Sequence, residues 1–138
     1  MKITEILDTK IHYDIDASTA SQMKVHSVIN NRVISVSFVF TEPDTWVMEF
    51  SEQIDNKTST SKSTGSGGEF QVFSLISSVM SDFIDTYAPD IIMFTADDEK
   101  RAKIYMHIIK KNLKVSSGYR HSTSVITGKT TIFRLTRK

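Results

Sequence analysis

KSTGSGGEFQVFSLISSVMSDFIDTY, residues 62–87, runs from a glycine-rich loop straight into a long segment of helical periodicity. Three of the chain's five glycines, Gly65, Gly67 and Gly68, stand immediately before the apolar residues. Phe70, Phe73, Ile76, Met80, Phe83, Ile84 and Tyr87 recur at three- and four-residue intervals, with Val72, Leu75 and Val79 widening the stripe. That spacing predicts a well-buried helix from Glu69 that ends before Pro89, because proline disfavours helical backbone in the residue preceding it. A helix N-terminus presents unpaired N–H groups and partial positive charge, and glycine lets a ligand approach the main chain. Lys62 to Gly68 therefore suit an anion seat. The same composition also suits a mobile connector.

Upstream of the loop the period is two rather than 3.6. Lys10 to Asp16 alternates, with Ile11, Tyr13 and Ile15 on one side, which predicts a first strand. Lys24–Ile29 and Arg32–Thr41 are β-branched and aromatic, and Asn30-Asn31 between them tolerates positive φ, so the pair reads as a hairpin. Ile34, Val36, Phe38 and Phe40 share one face, Ser35 and Ser37 the other. Glu42-Pro43-Asp44 turns the chain into a fourth strand over Trp46–Ser51, and residues 52–68 hold too little apolar surface to pack, predicting a loop.

Downstream, the continuous IIMF within Asp90–Thr95 suits a central strand covered on both faces. Asp97 and Asp98 are cap candidates for a second helix, traced by Ala102, Tyr105, Ile108 and Ile109 to about residue 114, with a lysine-rich outer face. Tyr119–Ile126 and Thr130–Arg137 close the chain as strands joined at Gly128-Lys129. Strands followed by helix, strand, helix and two strands give an α+β fold: a mixed, mainly antiparallel sheet with two principal helices packed on it, formed by residues 1–138 as one domain.

Composition removes several kinds of chemistry. With no cysteine among its 138 residues, the chain offers no disulfide, thiol nucleophile or thiolate metal site. His12, His26, His107 and His121 occur singly, without HExxH, and no metal is expected. There is no GxSxG elbow and no complete phosphate-binding GxxxxGK[ST] motif. Met48, Met80, Met93 and Met106 lie within apolar patterns and read as core filling. No apolar run is long enough to span a bilayer and the N-terminus lacks secretion-signal zones, so a soluble, cytoplasmic protein with no membrane partner is expected.

The net charge of +1 conceals two oppositely charged ends. Residues 1–98 carry six Lys/Arg against fifteen Asp/Glu, net −9, whereas residues 99–138 carry eleven against one, net +10. Mutual attraction within the fold explains this; so would a basic C-terminal surface for a nucleic acid or an acidic host protein. Exposed sheet edges also allow a homodimer.

Lys62-Ser63-Thr64-Gly65-Ser66-Gly67 resembles the Gln/Arg-x-x-Gly-x-Gly/Ala motif of the GNAT superfamily of acyl-coenzyme A-dependent N-acyltransferases, with Lys in place of Gln or Arg. The following strand, helix and two strands share that family's order. DEKRAKIY resembles its Asn-x-x-Ala-x-x-x-Tyr, with Asp98 at the Asn position, Arg101 at the Ala position and Tyr105 retained, and Gly118-Tyr119 resembles the family's Gly-Phe. Thirteen positions separate Tyr105 from Gly118 where the family usually has four, implying an extended helix or an insertion. The chain also looks like small acetyltransferase-like proteins of tailed bacteriophages, which would place it in the host cytoplasm.

The resemblance implies acetyl-CoA or another acyl-CoA as cofactor, with transfer of its acyl group to an amine on a small molecule or protein. Lys62, Ser63, Thr64, Gly65, Ser66, Gly67 and Gly68 would hold the pyrophosphate, Trp46 to Phe50 would pair with the pantetheine arm, and Tyr105 would protonate the departing thiolate. Glu49 is the first candidate for the base that deprotonates the amine and Glu52 the next. Structural alternatives stand beside these roles: a solvent-facing strand position for Glu49 and a core aromatic for Tyr105. The competing function is a catalytically inactive domain of the same fold, a phage accessory protein binding a host protein or nucleic acid.

Overall fold

A computed structural model of the chain describes residues 12–54, 57–59, 68–126 and 130–138. Its elements in chain order are β1 (Asp14–Ser18), β2 (Gln22–Ile29), β3 (Arg32–Thr41), β4 (Thr45–Ile54), β5 (Lys57–Ser59), α1 (Gly68–Tyr87), β6 (Ile91–Ala96), α2 (Glu99–Lys111), α3 (Leu113–Gly118), β7 (Tyr119–Ile126) and β8 (Thr130–Arg137). The fold is α+β. Its sheet runs β1-β2-β3-β4-β6-β8-β7, with β5 also paired to β4. Every described pairing is antiparallel except β4 with β6.

The expected hairpin forms because Asn30 and Asn31 adopt φ of 51° and 65°, the left-handed region that a two-residue turn needs. That turn fixes register, and register fixes which side chains face the core. Phe38 lies opposite Met48, Met48 opposite Phe94, and Phe94 opposite Phe133, so one apolar row crosses four strands. Both principal helices pack on that face. Phe83 of α1 stacks on Phe38 with centroids 3.9 Å apart, while Tyr105 of α2 meets Phe94 at 4.5 Å and Phe133 at 5.5 Å.

α1 stops before Pro89, as expected, where Ala88 takes φ 44° and donates its N–H back to Ile84 O, a left-handed cap. α2 begins at Asp98, whose carboxylate accepts from the Arg101 N–H at 2.8 Å; Asp97, the other cap candidate, instead accepts from the Thr130 hydroxyl.

Several boundaries differ from the sequence reading. β1 starts at Asp14 rather than Lys10, with a register shift between Ile15 and Ala17. Residues 10 and 11 lie outside the described residues. The expected loop over 52–68 contains the end of β4 and all of β5, because main-chain pairing along β4 does not require apolar side chains. β6 is fully covered on the face of Ile92, Phe94 and Ala96, whereas on the other face Ile91 is buried, Met93 half-buried and Thr95 exposed. The second helix breaks at Asn112, whose side chain caps α3 by accepting from Lys114 N and Val115 N. It also donates to Ser77 and Ser81 of α1. α3 fills the long interval between Tyr105 and Gly118.

Candidate functional site

Among the described residues, β4 in the middle of the sheet has a stretch of one edge that no strand covers. β3 occupies one side of β4 from Thr45 to Ile54. On the other side β6 pairs in parallel only from Thr45 opposite Ile91 to Met48 opposite Phe94, and β5 pairs only from Glu52 to Ile54. Between them, Glu49, Phe50 and Ser51 meet no strand among the described residues. In an extended strand the N–H and C=O of a residue point the same way, alternating along the chain. The Phe50 carbonyl faces this gap, since Arg101 Nη1 of α2 donates to it at 2.8 Å.

The gap has different walls on the two faces of the sheet. On the helix side Phe50 lies edge-on to Tyr105 at 5.8 Å, and the Arg101 guanidinium sits 4.2 Å above the Phe50 ring. Tyr105 is only 1% exposed, enclosed by Phe50, Phe94 and Phe133. Burial pushes its phenol well above the ordinary tyrosine range, against the charge and hydrogen bond of Arg101, with Asp98 and Glu49 pushing further upward. The hydroxyl holds its proton at neutral pH, as an ordinary tyrosine's does.

Glu49 is exposed on the opposite face of β4, across from Ser37. The fold brings Glu49 and Tyr105 to the same gap but on opposite sides of the sheet. Glu52 shares the helix face with Phe50 and is 8% exposed. Its Oε2 has no partner within hydrogen-bond distance, and Arg32 Nη1, 3.7 Å from that oxygen, makes an ion pair with it. Burial raises the Glu52 pKa, with Arg32, Arg101 and Lys100 pulling it down.

The expected pantetheine edge from Trp46 to Phe50 is shortened. Trp46, Val47 and Met48 lie in the paired stretch opposite Ile92, Met93 and Phe94, which leaves the Phe50 main chain as the accessible part. Lys62 to Gly67 lie outside the described residues, whereas Gly68 opens α1. The element that sequence reasoning missed is Arg101 as a wall of the gap. It stands four residues before Tyr105, one helical turn away on the same face, and that spacing was the available signal.

Elsewhere, the basic end is partly neutralised from within, by Lys114 with Asp85 and Arg137 with Asp90. A shallow groove of about 270 Å³ follows the outer face of α2, lined by Glu99, Ala102, Lys103, Met106, His107 and Lys110. Among the described residues no group of three or more His, Asp or Glu is arranged to hold a metal ion, and no helix is long and apolar enough to cross a membrane.

No protein-family model matches the sequence, and no curated protein matches it. A search of solved structures finds similarity to a chimera of the spermidine N-acetyltransferase SpeG from Vibrio cholerae and hSSAT, at 9% identity and a TM-score of 0.46. The match covers 83% of this chain and 65% of that one.

Proposed function

We propose that the gap beside Phe50 is the seat of an acyl-CoA donor and that the protein transfers the acyl group to an amine. The observation that carries this reading is the one parallel pairing among the described residues, which ends at Met48–Phe94 while β4 continues, next to a buried phenol. The element order and the Tyr105 spacing support it. When bound, the donor supplies a thioester-activated acyl group. Phe50 offers a main-chain edge to an amide arm, Gly68 opens the helix whose N-terminus would face the pyrophosphate, and Tyr105 holds a proton at its phenolic oxygen for the departing sulfur. Glu49, exposed on the far face, is the assigned acceptor of the amine's proton.

The test is calorimetric titration with acetyl-CoA together with a melting curve. Binding heat and a rise in Tm are expected, and neither at millimolar ligand would reject the reading. A second reading, a binding domain without catalysis, is favoured by Arg101 filling the gap. In that case the basic end would contact a nucleic acid or acidic host protein, with affinity for nucleic acid falling steeply as salt rises.

A further inference from the structure

The gap already holds a side chain. Arg101 donates to the Phe50 carbonyl at 2.8 Å, lies 4.2 Å above the Phe50 ring, and its charge acts on the Tyr105 phenol. These are the main-chain edge and the phenol on which the donor reading rests. A ligand amide arriving at Phe50 must compete with a charge-assisted hydrogen bond, and a thioester sulfur reaching Tyr105 must pass the same guanidinium.

Arg101 also has somewhere to go. Glu52 is two residues beyond Phe50 on β4, so its side chain leaves the same face roughly 7 Å further along the strand. The residue is 8% exposed, and its Oε2 lacks a hydrogen bond. Arg32 makes an ion pair there, with its Nη1 3.7 Å from Oε2. A buried carboxylate oxygen in this state is stabilised by any donor that reaches it. Arg101 already acts on Glu52 through its charge. Moving the guanidinium from Phe50 to Glu52 exchanges a hydrogen bond to a main-chain carbonyl for one to a carboxylate.

We infer that Arg101 is an internal occupant of the donor seat, and that donor entry displaces it along β4 onto the Glu52 carboxylate, coupling binding to a two-position arginine. This rests on the donor reading above. It makes acyl-donor affinity a difference between two arginine positions, so each position can be altered separately.

The experiment is calorimetric titration of acetyl-CoA into the wild type, Arg101→Met, Glu52→Gln and the double variant, with melting curves to establish folding. Methionine keeps an unbranched apolar stem over Phe50 and removes the donor fork. Arg101→Met is expected to bind about tenfold tighter or better, because no occupant has to leave. Glu52→Gln is expected to bind about threefold weaker or worse, because the displaced guanidinium loses its charged partner. In the double variant the Glu52 effect should vanish, since there is no arginine to receive.

Equal or weaker binding by Arg101→Met overturns the occupant, and a Glu52→Gln penalty that persists without Arg101 overturns the landing position. If all four proteins bind equally, the donor reading stands and this inference alone falls. If none binds, the donor reading falls and takes the occupant with it. Should Arg101→Met fail to fold cooperatively, Arg101→Lys keeps the charge but not the fork, and an affinity between wild type and tenfold tighter supports the occupant, whereas an unchanged one overturns it.

Discussion

Two consecutive stretches of one edge of β4 meet different partners. From Thr45 to Met48 that edge is zipped to β6, and the chain there sits beneath an aromatic cluster in which Trp46 contacts Phe83 at 5.0 Å and Tyr87 at 4.9 Å. From Glu49 to Ser51 no described strand pairs with it, and a cationic side chain from α2 reaches the main chain instead. The first stretch is built for stability: apolar side chains stack and every main-chain group has a ladder to join. The second is built around polar groups whose partners can be exchanged, which is the physical requirement for a ligand seat.

The contrast can be broken most sharply at Tyr105. Replacing it with Phe keeps the ring among Phe50, Phe94 and Phe133 and removes only the proton. Turnover with acetyl-CoA and an amine at saturating donor should fall about a hundredfold to ten-thousandfold, with Tm nearly unchanged. Unchanged turnover would end the acid role. On the zipped side, Phe83→Ala removes a fully buried ring stacked on Phe38, and urea unfolding should show a loss of about 3–5 kcal/mol. A loss below about 1 kcal/mol would mean the stable half of the sheet draws its strength from elsewhere.

Glu52 sharpens the comparison through pH. Its folded pKa is raised by burial above the ordinary 4.5, so its protonated form favours the fold. That contribution is complete below about 4.5 and is lost as pH rises through the folded value. Glu52→Gln should therefore gain stability relative to wild type across that rise in melts taken from about pH 3 to 8. A pH-independent difference would show that the carboxylate is not desolvated as its burial implies. The smallest expected effect is at the end of α1, where Ala88 holds φ 44°. Glycine there should stabilise by about 0.5–1 kcal/mol in thermal unfolding, since the left-handed cap costs a Cβ more than it costs glycine.

The parts of the fold set by local chemistry were legible in the chain. Asn30-Asn31 specified a turn and thus a register, the three- and four-residue recurrence from Phe73 to Tyr87 specified α1, and Tyr119–Ile126 and Thr130–Arg137 match β7 and β8. Polar β5 was not legible, because its pairing is carried by main-chain groups that every sequence possesses. Asn112 was missed for a related reason: its worth lies in reaching Ser77 and Ser81 of another helix, 35 and 31 residues away.

The sequence by itself determined the alternation of the strands, the apolar stripe of α1, a cap at Asp97 or Asp98 and the spacing that puts Arg101 and Tyr105 on one face of α2, since each depends on neighbours within a few residues. Only the tertiary structure decided that β6 leaves β4 after four residue pairs, that Arg101 lands on Phe50, and that Glu52 is buried with an oxygen lacking a hydrogen bond. Those facts come from where sheet twist and helix packing place segments distant in the chain, and no local preference encodes that placement.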